Sequence, residues 1–374
     1  MLTVVDIVCE RSAVAARVAL GRLDRDHVRS EVGAHHPSDQ PSVVSQIEYS
    51  VVPQHAALSD VSASRVRPLA APARLAYAAE HDQSAIVALR RHRERGHAIT
   101  IPEISMPPVP RTTGVRLEGK RAIVTGAGSR AAGIGNGRAA AALFALEGAR
   151  VLLVDRELEA AEETRALILE HRPDAKVELF EADVTDEESC AAMVRTAVDA
   201  WGGLDILQNN VGVGLSAGSV VDTDLDQWDM VQDVNVRSMV LTGRHAIPAM
   251  IESDGGSIIN ISSVGALRPR GMTAYSTSKG AVIALSQAMA VDHARQNVRV
   301  NCIAPGPMYT PMVYAGGMDE DRRTSRREAS ALGVEGNGWD IGLAATFLAS
   351  DESRFITGVV LPVEGGMLLR GPSR

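Results

Sequence analysis

Tyr275 and Lys279 stand four residues apart in the segment Ala274-Tyr275-Ser276-Thr277-Ser278-Lys279-Gly280. That spacing puts both side chains on one face of a helix. A free phenol ionises near pH 10 and carries protons poorly at neutral pH. An ammonium beside it favours the phenolate and is expected to draw the ionisation toward the working range, which suits a general acid or base. The chain holds 38 Lys plus Arg, yet its only lysines are Lys120, Lys176 and Lys279. A sequence that otherwise writes positive charge as Arg keeps a compact ammonium here, which a planar guanidinium does not replace. Taken alone, Tyr-x-x-x-Lys also describes an ordinary exposed helix face, so the reading depends on its surroundings.

A second pattern lies upstream. Thr125-Gly126-Ala127-Gly128-Ser129-Arg130-Ala131-Ala132-Gly133-Ile134-Gly135 follows a short apolar run and opens a helical one. Glycines permit a tight strand-to-helix turn and close backbone approach to a pyrophosphate, while the helix N-terminus offers free N–H groups. Asp155 comes twenty residues after Gly135, at the tip of the next strand, where a carboxylate can accept both ribose hydroxyls of an adenosine. It also repels a 2′-phosphate, which favours NAD; Arg130 and Arg156 keep NADP open. The competing reading of Asp155 is a plain helix N-cap.

These patterns need a scaffold, and the sequence supplies one from Lys120 onward. Short β-branched runs at Ala122–Thr125, Val151–Asp155, Val177–Glu181, Ile206–Asn209, Ser257–Ile261, Val298–Cys302 and Val359–Val363 read as strands. Helical segments alternate with them near Gly137–Glu147, Leu158–His171, Glu187–Trp201, Trp228–Ile251, Ala274–Ala294 and Asp340–Leu348. The alternation predicts an α/β fold, a doubly wound parallel sheet of about seven strands with helices on both faces. Residues 1–105 differ: they hold seven of the ten histidines, no lysine and three of the 33 glycines. Residues 1–110 read as an N-terminal extension without regular structure or as a misplaced start, with an accessory subdomain as the third option; residues 111–374 read as one catalytic domain.

Composition removes several function classes. Net charge is −8 and aromatics are 3%, which argues against a nucleic-acid partner. No apolar run reaches the roughly 18 residues of a membrane span. Cys9, Cys190 and Cys302 give neither a disulfide framework nor metal-ligand spacing, which points to a reducing cytoplasm and no metal. His245 and His293 read as lone packing or surface residues.

Residues 117–369 resemble the short-chain dehydrogenase/reductase superfamily along a whole Rossmann-type domain. The family's T-G-x-x-x-G-x-G is present with three additional residues between Gly126 and Gly133. The resemblance implies cofactor contacts at Gly126, Ser129, Gly133, Ile134 and Gly135. Asp183-Val184 resembles the pair that meets the adenine, and Asn209-Asn210-Val211-Gly212 the family's N-N-A-G, giving Asn210 and Gly212. Pro305-Gly306 with Thr310 resembles the turn that meets the nicotinamide end, and Tyr275 and Lys279 complete the cofactor contacts. The implied catalytic residues are Asn235, Ser263, Tyr275 and Lys279. Ser263 would fix the substrate oxygen, with Ser262 the runner-up, and Asn235 would hold a relay water; an Asn that merely satisfies backbone in a bent helix is its competing reading.

The implied reaction interconverts a secondary alcohol and a ketone, with Tyr275 exchanging the hydroxyl proton as hydride moves to or from NAD(P). Two other readings stand beside it: a dinucleotide-binding regulator without activity, and an enoyl reductase, whose family branch spaces Tyr and Lys more widely. Residues 308–338, with Tyr309, Met312, Tyr314, Gly316, Gly317 and the charged run Asp319–Glu328, are expected to form a lid over the substrate. With Val213–Gly218 and Ala266–Met272 they would set the choice of small alcohol or ketone. The Ala-, Val- and Met-rich long helices predict a homodimer or homotetramer, which a monomer in light scattering would contradict.

Overall fold

The structure, a computed structural model, describes residues 106–214 and 218–371. The expected extension, residues 1–105, lies outside them. From residue 106 the chain already packs: Val109 rests on the core and the Trp339 indole donates to the Pro107 carbonyl at 3.1 Å. The expected start of the domain at residue 111 therefore falls inside a packed segment. Just beyond it, the buried Glu147 carboxylate accepts from Thr113, Val115 and Arg116. Burial raises its pKa, but these hydrogen bonds outweigh burial and hold the carboxyl below its ordinary range.

Seven parallel strands form one sheet in the order β3-β2-β1-β4-β5-β6-β7. They are β1 (Arg121–Thr125), β2 (Arg150–Asp155), β3 (Val177–Glu181), β4 (Ile206–Asn209), β5 (Gly256–Ile261), β6 (Val298–Pro305) and β7 (Val360–Val363). β6 runs three residues past its expected end, because Cys302–Pro305 pairs with β7 after the earlier part has paired with β5. The strand order reverses between β1 and β4, so the strand C-termini open a crevice there, as doubly wound sheets require.

Strand residues alternate between two cores, as a sheet covered on both faces demands. Val124, Leu153, Ile206 and Ile259 join α1 (Asn136–Leu146), α2 (Leu158–His171) and α10 (Gly338–Ala349) on one face. Ile123, Leu152, Leu207 and Ile258 meet α3 (Glu187–Trp201), α5 (Ser238–Glu252) and α7 (Thr273–His293) on the other. Helix α1 is buried from Gly137 to Leu146, and its run of alanines lets it lie close to both the sheet and α10. The remaining helices are α4 (Leu225–Gln232), α6 (Val264–Leu267), α8 (Pro311–Tyr314) and α9 (Glu320–Ala329).

The single long helix expected over Trp228–Ile251 is interrupted. Between α4 and α5 the chain makes one π-helical turn, Asp233–Arg237. Ser238 N–H reaches back five residues to the Asp233 carbonyl, and the Ser238 hydroxyl takes the displaced Val234 carbonyl at 2.7 Å. A serine positioned to satisfy that carbonyl lets the turn persist inside a packed helix. Asn235 sits in this turn.

Candidate active site

The site is assembled at the C-terminal ends of β1, β4, β5 and β6. The turn after β1 bends at Gly126 (φ +64°) and again at Gly133 (φ +121°), a conformation that a side chain resists. A Cβ on Gly137 would collide with the Gly126 carbonyl, so this glycine lets α1 start hard against the turn. Gly135 is the N-cap of α1, and Ile134 is buried beside it. Ser129 Oγ and Asn136 Oδ1 are buried in this turn with no hydrogen-bond partner among the described residues. An unpaired buried hydroxyl is costly, so a ligand that accepts from Ser129 Oγ fits this turn; the Asn136 oxygen, itself an acceptor, calls for a donor.

Asp155 Oδ2 accepts from Gly128 N–H at 2.8 Å, and Oδ1 accepts from Glu157 N–H at 3.1 Å. Glu157, not Asp155, is the N-cap of α2. The carboxylate thus braces the glycine turn at the tip of β2. Asp183 is exposed and accepts from both Thr185 N–H and its hydroxyl, while the Val184 side chain is in the core, leaving its backbone for any ligand. Asn210 crosses the strand reversal: its N–H donates to Thr125 Oγ1 and its amide to the Gly126 carbonyl at 3.1 Å. At Gly212 a Cβ would lie 3.0 Å from Lys279 Nζ and 3.2 Å from Asn235 Oδ1, so the backbone passes tightly over both.

The residues expected to handle protons lie on the far side. Tyr275 and Lys279 project from one face of α7, with the ammonium 5.9 Å from the ring centroid. Lys279 is buried and donates to the Ile261 carbonyl at 3.0 Å. Successive serines at the end of β5 diverge: Ser262 Oγ donates to the Lys279 carbonyl at 2.7 Å, while Ser263 caps α6 and faces the phenol. Only Ser263 therefore stands where a substrate oxygen could reach both it and Tyr275. Two glycines flank the ring, since a Cβ on Gly265 or Gly214 would lie 3.3 Å or 3.9 Å from its edges.

Asn235 is fully buried and completely partnered. Its Oδ1 accepts from Val213 N–H at 2.7 Å, and its amide donates to the Val213 carbonyl at 3.0 Å and to Ser278 Oγ at 2.9 Å. Its side chain satisfies backbone, the competing reading of this residue; a relay water would have to meet its main chain.

The electrostatics correct one expectation. In the free chain the Tyr275 pKa is raised, chiefly because burial disfavours the phenolate, with Ser263 pulling the other way. Lys279 is deeply buried, and desolvation pushes it down to about 8. Cys302, behind it, is pushed up to about 11 by burial and reads as an apolar filler.

Opposite the glycine turn, β6 ends at Pro305, and Gly306 N–H donates to the Val363 carbonyl at 2.9 Å. Thr310 is buried and caps α8 without using its hydroxyl for the cap. The expected irregular stretch after it contains two helices, α8 and α9. Tyr309 and Tyr314 stack at 4.7 Å, and Arg323 lies 4.1 Å over the Tyr309 ring. Arg326 bridges Glu335 at 2.6 Å and donates to the Met308 carbonyl at 2.8 Å, which fixes α9 to the base of the segment.

Three contributors escaped sequence reasoning. Ser278 partners Asn235, and its place between Tyr275 and Lys279 in one helical turn could have marked it. Gly265 and the Tyr314–Ala132 contact at 2.8 Å gave no local signal. Among the described residues no group of three or more His, Cys, Asp or Glu is placed to hold a metal, and no helix is long and apolar enough to cross a membrane.

The chain is similar to known proteins. A family model described as "Enoyl-(Acyl carrier protein) reductase" matches residues 129–368. The chain is 38% identical to 2,5-dichloro-2,5-cyclohexadiene-1,4-diol dehydrogenase of Sphingobium indicum, over 67% of this chain and 97% of that one. It is 34% identical to meso-2,3-butanediol dehydrogenase of Serratia marcescens, over 67% and 96%. The crystal structure of a short-chain dehydrogenase/reductase from Burkholderia xenovorans superposes with a TM-score of 0.65 at 39% identity, covering 69% of this chain and 99% of that one.

Proposed function

The chain belongs to the short-chain dehydrogenase/reductase superfamily and is an oxidoreductase acting on alcohol groups, and on that premise we propose that it interconverts a secondary alcohol and a ketone with NAD, Tyr275 carrying the proton. The observation that carries the reading is the convergence of Ser263, Tyr275 and Lys279 on the same edge of the sheet, at the strand ends, as the glycine turn.

When bound, a nicotinamide cofactor supplies the acceptor or donor of hydride. The turn Gly126–Gly135, with the unpartnered Ser129 hydroxyl and the N-terminus of α1, would hold the pyrophosphate. Asp155 would take the adenosine ribose and Asp183 with the Val184 backbone the adenine. Asn210, Gly212, Pro305, Gly306 and Thr310 would line the nicotinamide end.

Ser263 holds the substrate oxygen against the Tyr275 phenol, and the phenol takes or returns its proton. Burial raises the phenol's pKa in the free chain, so Tyr275 starts protonated and is suited to donate toward a ketone. Oxidation needs a neighbouring positive charge to stabilise the phenolate, and Lys279 carries one below about pH 8. Asp155 favours NAD because its carboxylate repels a 2′-phosphate; Arg130 and Arg156 are the residues that could offset this toward NADP. The family model's description favours a second reading, reduction of a carbon–carbon double bond. Against it stand the three residues between Tyr275 and Lys279, fewer than that branch uses.

The test is purified chain with NAD and a panel of secondary alcohols, followed at the absorbance of the reduced nicotinamide. Turnover is expected and should fall about a thousandfold in Tyr275→Phe while NAD binding persists. Tight NAD binding without turnover across a broad panel would instead identify a silent dinucleotide-binding protein. Activity confined to an enoyl thioester would replace the alcohol reading.

A further inference from the structure

The glycine turn is three residues longer than the family pattern, and a longer loop holds its peptides less firmly. Two side chains from outside the turn grip it. Arg138 donates to the Gly133 carbonyl at 3.0 Å, and the Tyr314 hydroxyl, from the end of α8, donates to the Ala132 carbonyl at 2.8 Å. In a planar trans peptide the carbonyl and the following N–H point in opposite directions. Fixing the Ala132 carbonyl therefore aims the Gly133 N–H away from Tyr314, and fixing the Gly133 carbonyl does the same for Ile134. Neither N–H donates to a backbone carbonyl among the described residues.

We propose that Tyr314 is a positioning residue for the dinucleotide: its hydroxyl, supplied by the lid, turns the Gly133 N–H toward the pyrophosphate. This rests on the dinucleotide reading of the site. The fit around the hydroxyl is close, since Gly133 has a positive φ and a Cβ there would strike Tyr314 Oη. Tyr314 is itself braced, 9% exposed and stacked on Tyr309, which lies under Arg323. Arg323 and Arg326 both approach the buried carboxylate of Glu335, so the brace extends into α9. The extra loop length and the tyrosine thus form one unit, in which the lid orients a donor that the loop alone would leave free to rotate.

Calorimetric titration of the full chain with NAD, ADP and adenosine tests the assignment. In Tyr314→Phe, which removes one hydroxyl, NAD and ADP are expected to bind about three- to tenfold more weakly. Adenosine, which has no phosphate, should bind as before. With any substrate found, KM for NAD should rise by a similar factor while kcat and the melting temperature stay put, a split that loss of packing would not give. Equal ADP affinity in both chains, or equal weakening of adenosine, would overturn the role of Tyr314. Failure of the wild-type chain to bind NAD or ADP would overturn the dinucleotide reading and the inference with it. If Tyr314→Phe fails to fold, Tyr309→Leu removes the stacked ring and leaves the hydroxyl. It should weaken ADP about twofold with adenosine unchanged, and unchanged ADP would count against the proposal.

Discussion

On the Tyr275 side of the cleft, Asn235, Ser262, Ser278 and Lys279 all commit polar atoms to partners within the chain. On the glycine-turn side, Ser129 Oγ and Asn136 Oδ1 are buried with none among the described residues, and one carbonyl is held by Tyr314 of α8. The first half satisfies itself; the second keeps a buried hydroxyl unpaired. On the proposed reading, proton transfer needs groups already in register with the substrate, and the residues that would carry it hold one another in place. A cofactor would tolerate a turn that settles around it, since binding itself supplies partners.

Disturbing the self-sufficient half should cost most in stability. Asn235→Leu leaves the Val213 N–H and carbonyl buried without partners. Unfolding in urea should show a loss of about 4 kcal/mol, since each orphaned group costs roughly 1–3 kcal/mol. A loss below about 1 kcal/mol would mean the turn is wetter than the contacts indicate.

Lys279→Met sharpens the comparison through pH. Burial holds the folded ammonium near pKa 8, against an ordinary value near 10.4. Between these pH values the unfolded chain binds more protons, so stability rises with pH across the window. The penalty is fully present below pH 8 and fades toward pH 10. Wild type should therefore gain roughly 3 kcal/mol on Lys279→Met over that interval. A stability difference between the two chains that does not change from pH 7 to 10 would refute the buried charge.

The smallest effect concerns a buried amide outside both halves. Gln208 on β4 is fully buried and neither side-chain atom has a partner among the described residues. Gln208→Leu should raise stability by about 1 kcal/mol, because an apolar replacement removes a desolvated group. A drop in the melting temperature would instead reveal an internal water serving that amide.

The legible parts of the site were those encoded within one or two helical turns. Tyr275 and Lys279 share a face because four residues nearly complete a turn, and Asp155 follows from strand length alone. Asn235 was locatable along the chain, but its partners were not: Val213 comes from a separate loop, 22 residues away. The sequence favours Ser263 over Ser262 without showing where either points; alternation at the strand end sends Ser262 beneath Lys279 and Ser263 to the phenol. The contact of Tyr314 with Ala132 spans 182 residues and leaves no local trace. The break in the long helix stayed hidden because 233–237 contains no Pro or Gly to mark it.

That π turn has a consequence for how the two rods on either side are phased. The widened turn takes up one residue more than an α-helical turn, so the helix after it keeps the face it would have without that residue. Trp228 and Val231 meet Ala274 at the start of α7, while Met239, past the turn, meets Val282 further along α7 and Cys302 on β6. A single deletion within 233–237 would close the turn to a regular α-helix with both contacts kept, and would lose the widened turn that carries Asn235.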